Sequence, residues 1–577
     1  MKLLLRYCLL HFLFVAPLLL ASLSDTFVNG FVHPANTAVN NLRRDKDIVG
    51  NRIQRILGGV QYGSRPILLS TLSPQPKEEI ETLPYNWKDQ WYALTFASHV
   101  LNPSETAEVV PAAVFGQPLV LWRSEDGGHI HCADDVCPHR AAALSEGRTR
   151  DGKLECYYHG WQFDGKEKGA CSFIPQLSTG AQIPKAACLK MRECRVVEGI
   201  VWVWMGDGSS EPTKEVPAQN DELDQLTGQR NGFLVNDFQI DLPYDHSYLV
   251  ENLIDPAHID ISHDRTPGGG RRERAEAYDM IVDKESVSPD GFTGRYRVES
   301  QAKKDGPYIE VQYQAPGIVR QRGFPLGANS TVYFGVALHC MPLALGRSRL
   351  LFRAYFGGLP KLLMFILSSK PAFLRHLNSC KVLEQDAGLI TTQEDHFKRQ
   401  PNHQIKDDFL MLDSSDAFVK AYRQWMDQVG HGMPWFQGLA KRSVNVDDHL
   451  TGFVGPPALD PMFHRAGNHM ETRYHRHVVH CPATRNALAR VQKLKRIMLG
   501  LAVLSVTLSC GTAPLVGSSS TGSALSPKML SMAKHALKIL VPFIPASCLA
   551  SALLHRLEQA FFVSFKRKEQ MRTEKGI

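Results

Sequence analysis

The 577-residue chain lacks any long basic block interleaved with aromatics, the cysteine density of a disulfide scaffold, and any internal repeat. The first absence leaves its net charge of +7 without the footprint of a nucleic-acid-binding surface, so nucleic acid is excluded as a partner. Twelve cysteines spread over so long a chain do not staple a fold, and two of them sit in metal-ligand spacing. That pattern points to a compartment where thiols stay reduced. What is present is 44% hydrophobic content, enough for genuine cores in two or three domains.

The N-terminus reads as a targeting device. Lys2 and Arg6 precede an apolar run from Tyr7 to Leu20, the length of a signal-peptide core and too short to span a bilayer comfortably. Cleavage is expected after Gly30, giving a signal peptide over 1–30. The stretch from Phe31 to Arg43 and Arg44 contains no acid, as transit peptides do, and a Pro-rich linker runs from Ser70 to Asn86. Residues 31–86 therefore form a transit-like segment and linker. A signal peptide followed by a transit segment opening on Phe resembles the bipartite presequences of algae with complex, secondary-type plastids; ordinary secretion is the alternative.

Folded sequence is expected from Trp87. Leu119–Arg123 and His129–Ala133 flank a Glu-Asp-Gly-Gly turn, and Val196–Val197 with Ile200–Met205 make a second hairpin, so residues 87–206 read as all-β. A charged, Pro-containing stretch from Asp207 to Gln229 separates a second unit, 230–440. It opens with a helical segment around Tyr244–His263 and continues through strand-like runs at Phe292–Glu299, Tyr308–Tyr313, Thr331–Leu338 and Arg349–Tyr355. Helical sequence returns from Leu359 to His396. This order predicts an antiparallel sheet packed by helices. Residues 441–490 read as a juxtamembrane linker and 491–577 as a membrane anchor. Within the anchor Ile497–Val516 is twenty residues without a charge, and Ile539–Leu554 is a shorter, Pro-broken segment. Basic residues flank both, as expected of a hairpin whose ends share one side; a re-entrant pair is the alternative for the second segment.

Cys137-Pro138-His139, sixteen intervening residues, and Cys156-Tyr157-Tyr158-His159 carry the first chemical signal. Two short loops, each offering one thiolate and one imidazole, suit a two-iron cluster with sulfurs on one iron and histidines on the other. Structural zinc is the rival, but its ligands usually come as a Cys pair followed by a His pair, whereas each loop here is mixed. Gly160 and Trp161 supply a tight turn and a cover. Respiratory-type Rieske proteins carry a further Cys in each box; Ala142 and Tyr158 at those positions favour the oxygenase type.

The second signal is Glu251-Asn252-Leu253-Ile254-Asp255-Pro256-Ala257-His258 followed by His263. Two imidazoles and one carboxylate on a face of Fe(II) leave positions open for dioxygen. A five-residue step turns an ideal helix by roughly 140°, so both histidines reach one metal only if the helix bends or ends between them. Pro256 and Gly268-Gly269-Gly270 allow this. Asp386 is the chosen carboxylate, with Glu384, Glu394 and Asp395 as rivals. Asp255 is placed to orient His258, helix capping being its plainer role.

With these motifs, and with Leu144-Ser145-Glu146-Gly147 and Gly169-Ala170-Cys171 through Gln176, the chain resembles the pheophorbide a oxygenase group of Rieske oxygenases from Trp91 to Cys481. That group includes chlorophyllide a oxygenase and the Rieske protein of the plastid import translocon. The resemblance implies an α+β architecture: an all-β Rieske [2Fe-2S] domain, a helix-grip-like antiparallel-sheet catalytic domain with mononuclear Fe(II), and a C-terminal transmembrane hairpin. It further implies oxygenation of a hydrophobic tetrapyrrole such as pheophorbide a or chlorophyllide a, with O2 and ferredoxin-derived electrons. The expected assembly is a head-to-tail homotrimer in which Asp255 bridges one subunit's cluster to its neighbour's iron. Asp255 and Asn252 stand as candidate catalytic residues. A plastid membrane, thylakoid or inner envelope, with the catalytic domains on the stromal side, is the expected location. Another apolar plastid metabolite, or a non-enzymatic membrane-associated redox sensor, are the alternatives.

One departure concerns Arg473 to Cys481, similar to the segment leading into a Cys-x-x-Cys pair in plant members. Thr484 stands where the second Cys falls, which puts dithiol regulation in doubt. His475, His477 and His480 read as part of a basic juxtamembrane loop. The loop Arg148–Lys153 is a candidate for steering an acidic donor.

Overall fold

Short apolar strands, two of which (Trp91–Phe96 and Ile200–Trp204) are buried along their whole length, build the first unit of the chain. The computed structural model describes residues 85–101, 109–206, 212–217, 234–266, 269–303, 305–323, 333–358, 361–400, 403–433, 437–441, 472–517 and 526–563. The signal and transit segments read from the sequence lie outside the described residues. Strands β1 (Trp91–Phe96), β2 (Val109–Val114), β3 (Gln117–Arg123), β4 (Ile130–Asp134), β5 (Arg148–Arg150), β6 (Lys153–Glu155), β7 (Gln162–Asp164), β8 (Ala170–Phe173), β9 (Met191–Arg192), β10 (Cys194–Val197) and β11 (Ile200–Trp204) form three antiparallel sheets. Their orders are β1-β11-β10, β2-β3-β4-β9 and β5-β6-β7-β8. Both expected hairpins are present, as β3–β4 and β10–β11.

The second unit is one seven-stranded antiparallel sheet. It is made of β12 (Leu234–Leu242), β13 (Tyr278–Val282), β14 (Gly291–Val298), β15 (Ile309–Gln314), β16 (Ile318–Gly323), β17 (Tyr333–Ala344) and β18 (Arg347–Gly357), in the order β12-β18-β17-β16-β15-β14-β13. Helix α1 (His246–Ile254) starts at Asp245, whose carboxylate accepts the Ser247 N–H, and ends at the Asp255-Pro256 step. A one-turn helix α2 (Ile259–Ser262) follows. The expected single helix over Tyr244–His263 is thus two, because Pro256 disfavours helical backbone at the residue before it. Pro371 likewise starts a new helix, α3 (Ala372–Arg399), which packs on β12. Helix α4 (Ala417–Gln428) packs on β13 and α1.

One core runs without interruption from Trp91, Leu94 and Trp202 into Phe238, Leu249, Tyr313 and Leu351, so the two sheet systems are fused. Trp87 is 1% exposed and its indole N–H donates to the Gly430 carbonyl at 3.0 Å, fixing the segment ahead of β1 to the end of α4. Burying roughly 200 Å² of such a side chain contributes about 5 kcal/mol. Arg349 binds Asp241 through two bonds of 2.6 and 2.9 Å and donates to the Leu94 carbonyl, clamping the large sheet to β1. A separate core of Val120, Trp122, Leu144, Leu154 and Phe163 lies under Cys137 and Cys156.

Two long helices close the described chain: α5 (Pro482–Gly517) and α6 (Pro527–Gln559). Gln492 and Lys495 near the start of α5 both bind Glu558 at the end of α6, so the pair is antiparallel. Leu499 and Val503 of α5 and Leu549 of α6 are exposed, so each helix turns apolar surface away from the protein core, and both are long and apolar enough to cross a bilayer. Helix α6 continues through Pro542 and Pro545 where a break was expected. The stretch 472–490 is packed and helical rather than a linker: a π-helical turn, Tyr474–Val478, leads directly into α5. His475, His477 and His480 are correspondingly not a basic loop, since His477 is fully buried and His480 Nε2 lies 3.1 Å from Asp241.

Candidate metal centres

The two cluster boxes fold into loops with the same backbone hydrogen-bond pattern. The Cys137 N–H donates to the carbonyl of Ala142 and its own carbonyl accepts from Ala141, each at 2.9 Å. The Cys156 N–H donates to the carbonyl of Trp161 and its carbonyl accepts from Gly160, again at 2.9 Å. Ala141 and Gly160, equivalent positions, both adopt left-handed backbone, with φ of 56° and 73°. Each sulfur faces the backbone N–H groups two and three residues on, from His139 and Arg140 in one loop and Tyr158 and His159 in the other. These donors favour thiolate.

The two sulfurs are buried and hydrogen-bond each other, and that bond holds the Cys156 thiol below its usual range. The imidazoles are half-buried on the solvent side, with His139 and His159 ring centroids 4.5 Å apart. Trp161 stacks flat on His139 at 4.5 Å and 7°. His139 Nδ1 is buried with no hydrogen-bond partner, as befits a nitrogen that takes a metal. Two paired sulfurs, two adjacent imidazoles and an orphaned ring nitrogen fit a [2Fe-2S] cluster with mixed ligands. The loop Arg148–Lys153 offers less positive field than its sequence suggests: Arg148 and Arg150 pair with Glu155, and Lys153 lies 3.9 Å from Asp164.

The conformation of Gly160 yields a prediction. An alanine there would hold φ near 73° and press its Cβ to 3.0 Å from Pro175 Cγ. Gly160→Ala is expected to cost about 1–2 kcal/mol and to lower acid-labile sulfide per chain. Unchanged sulfide content and melting temperature would contradict the tight-turn role.

In the second unit His258, His263 and Asp386 converge, with ligand atoms all within 4.8 Å of one another. His263 Nε2 lies 3.0 Å and His258 Nε2 3.6 Å from the same Asp386 oxygen. The short helix α2 explains how: His258 is its N-cap and His263 its C-cap, so the two histidines flank a single turn. Gly270 packs against that turn, where a Cβ would fall 2.1 Å from Asp260 Oδ1. The distal nitrogens also have neighbours. His263 Nδ1 is anchored 2.9 Å from Gln385 Oε1, whose amide donates in turn to Thr266, and His258 Nδ1 faces the Asp255 carboxylate at 3.3 Å. Both rings are thereby set with Nε2 turned to the carboxylate. Burial alone works to lower the His258 pKa, but Asp255 and Asp386 together outweigh it and raise it. Asp386, for its part, is held low: burial opposes ionisation, and His263 and His258 more than offset it.

The rival carboxylates are otherwise placed. Glu384 is bound by Arg473 at 2.6 and 2.9 Å and by Arg476 at 3.0 Å. Glu394 and Asp395 stand roughly 12 Å or more further along α3. Asp255 Oδ1 also accepts the Ala257 N–H, so it caps the turn after α1 rather than a helix N-terminus. Neither cluster histidine is among its partners within the described residues of one chain. Asn252 is half-buried on α1, outside the His258, His263 and Asp386 group. Sequence reasoning gave no role to Gln385 or to the buried Glu251, which Arg423 binds at 2.6 Å to hold α1 against α4. Being adjacent to Asp386 was the one signal that pointed to Gln385.

Comparison with known proteins accords with this geometry. Residues 90–189 match the family described as Rieske [2Fe-2S] domain, and residues 313–404 the family described as Pheophorbide a oxygenase. The chain is 34% identical over 452 residues to Protein TIC 55, chloroplastic, of Arabidopsis thaliana, covering 76% of this chain and 79% of that one. It is 28% identical over 454 residues to Pheophorbide a oxygenase, chloroplastic, of the same plant, covering 74% and 77%. Likeness to Chlorophyllide a oxygenase of Chlamydomonas reinhardtii is 29% over 351 residues, or 59% and 48% of the two chains. Two mixed Cys-His loops, a two-histidine and carboxylate convergence, and two relatives matched over 79% and 77% of their length lead to one conclusion: this chain belongs to the Rieske non-haem iron oxygenase family that includes Protein TIC 55 and pheophorbide a oxygenase.

Proposed function

We propose that the protein is a membrane-anchored plastid monooxygenase that oxygenates a chlorophyll-derived tetrapyrrole of the pheophorbide a or chlorophyllide a type. The observation that carries an enzyme rather than a redox sensor is the convergence of His258, His263 and Asp386, since a sensor has no use for a second iron. Cys137, His139, Cys156 and His159 would hold the cluster, and His258, His263 and Asp386 the mononuclear iron. When bound, the cluster supplies single electrons and the iron activates O2.

The chain's own residues set the conditions. Gln385 and Asp255 hold the two imidazoles by their Nδ1 atoms, leaving Nε2 free for metal. Trp161 covers one face of His139 and limits water around the cluster. Asp255 is 22% exposed and carries a second oxygen toward His258, which leaves it reachable by a cluster histidine of a neighbouring subunit. Asn252, three residues ahead on the same side of α1, is assigned a supporting place at that bridge. Ferredoxin as donor, the head-to-tail homotrimer and the stromal placement of both units belong to this reading. The chloroplastic relatives and the antiparallel apolar pair α5 and α6 support a plastid membrane location. Anchoring there keeps the site beside pigment that partitions into lipid.

The test is incubation of the anaerobically purified full chain with reduced ferredoxin, O2 and a panel of chlorophyll derivatives. Incorporation of one oxygen atom from O2 into a tetrapyrrole is the expected result; reduction and reoxidation of the cluster with no substrate-dependent O2 uptake across the panel would overturn it.

A further inference from the structure

A second cluster of metal-binding side chains lies away from both iron sites, where the membrane hairpin docks on the catalytic unit. His376 comes from the first turn of α3, His477 from the π-helical turn, and Cys481 and Thr484 from the entry to α5. All four are buried, with exposures of 7, 0, 2 and 0%. Cys481 Sγ lies 3.3 Å from His376 Nδ1, and Thr484 Oγ1 lies 3.0 Å from His477 Nε2 and 3.4 Å from His376 Nδ1. The His376, His477 and Cys481 donor atoms all fall within 4.8 Å of one another.

The ring orientations are fixed from behind. His477 Nδ1 donates to the carbonyl of Gln239 at 2.6 Å on strand β12, which turns its bare Nε2 inward to the Thr484 hydroxyl. His376 lies beside Asp237, two residues earlier on the same strand, and presents Nδ1 to the thiol and the hydroxyl. For His477 this is the arrangement that orients metal-ligating histidines, a backbone acceptor on the far N–H selecting the tautomer. Both rings are neutral, because burial pushes His376 down to about 4 and His477 well below its ordinary value. Two imidazole nitrogens and one sulfur, with a hydroxyl oxygen as a weak fourth donor, suit a thiophilic d10 cation.

We propose that His376, His477 and Cys481 bind a Zn²⁺ or Cu⁺ ion, with Thr484 completing the site, and that this ion pins the membrane hairpin to the catalytic unit. Binding forms the metal–sulfur bond and releases the Cys481 thiol proton to solvent, one proton per ion. In the ion's absence the Cys481 S–H and Thr484 O–H satisfy the two nitrogens, which makes a hydrogen-bonded network the competing state. The site shares α3 with Asp386, so the clip fixes the helix that carries the iron-site carboxylate.

The test uses the full chain with its iron centres loaded. Zinc and copper are measured as purified, and Co²⁺ is added anaerobically while the near-ultraviolet sulfur-to-cobalt charge-transfer band is followed. The proposal predicts about one zinc or copper per chain, or an equimolar cobalt band, in the wild type. In Cys481→Ser both fall at least the ~10–100-fold lost when a mere orienting partner is removed, while iron and sulfide stay unchanged. His376→Gln serves where Cys481→Ser does not fold, and Thr484→Cys, with a second thiolate, should release the metal to a chelator more slowly. Neither metal nor cobalt band in the wild type, or a band that persists in Cys481→Ser, leaves a hydrogen-bond network only and overturns the proposal.

Discussion

Asp255→Asn is expected to leave the cluster and the mononuclear iron in place while substrate turnover falls by about 100-fold or more. The amide keeps an oxygen to accept the Ala257 N–H, so the turn after α1 survives. What it removes is the negative charge 3.3 Å from His258 Nδ1, and with it the acceptor through which Asp255 is proposed to meet a neighbouring cluster histidine. Iron content, cluster absorbance and single-turnover transfer from reduced cluster to iron separate this outcome from misfolding. Full activity in the variant would remove Asp255 from the electron route.

Asp386→Ala should act one step earlier. Its carboxylate is the group on which both Nε2 atoms converge, at 3.0 and 3.6 Å, and no other carboxylate among the described residues joins that group. Iron beyond the cluster is expected to be lost, with turnover at background, while the cluster boxes in their separate core keep full sulfide and a normal reduced spectrum. Asp386→Glu, one methylene longer, should recover part of the iron. Retention of mononuclear iron in Asp386→Ala would reassign the third ligand.

How much of this was legible in the sequence depended on distance along the chain. Cys137, His139, Cys156 and His159 announce themselves because each loop is closed by local bonds, Cys to the fourth and fifth residues beyond, so spacing alone carries the geometry. His258 and His263 are close for the same reason: they flank one turn closed by local bonds, from the Ser262 N–H to the His258 carbonyl and from the His263 N–H to the Ile259 carbonyl. Asp386 was selected among four acids within one helix. What decides between them is tertiary: Arg473 and Arg476, 89 and 92 residues further on, claim Glu384. No local pattern reports that pairing, nor that Gln385 turns to His263.

The misread segments fail on burial. His475 to His480 is rich in cations, which in sequence argues for solvent. In the fold Glu384 from α3 pairs with Arg476, and Asp241 from β12 lies 3.1 Å from His480, so the turn packs inside. Pro542 and Pro545 predict a break because proline removes an N–H and crowds the preceding turn. In a helix flanked by a partner, the loss is absorbed without ending the helix. Strands β12, β13 and β16 carry polar or charged residues within them, Asp237, Asp279 and Arg320 among others. Their ion pairs across the sheet, such as Arg353 with Asp237 at 2.7 Å and Arg297 with Asp279 at 3.0 Å, made period-two alternation hard to see.

The central claim is that one chain carries a reducible mixed-ligand cluster and a second, separate iron. It is tested most directly by counting iron and acid-labile sulfide on the anaerobically purified full chain, with electron paramagnetic resonance before and after dithionite. The account predicts about three irons and about two sulfides per chain, with a cluster signal that appears only on reduction. Zinc at the Cys137 and Cys156 loops, or no iron beyond the cluster, would contradict it.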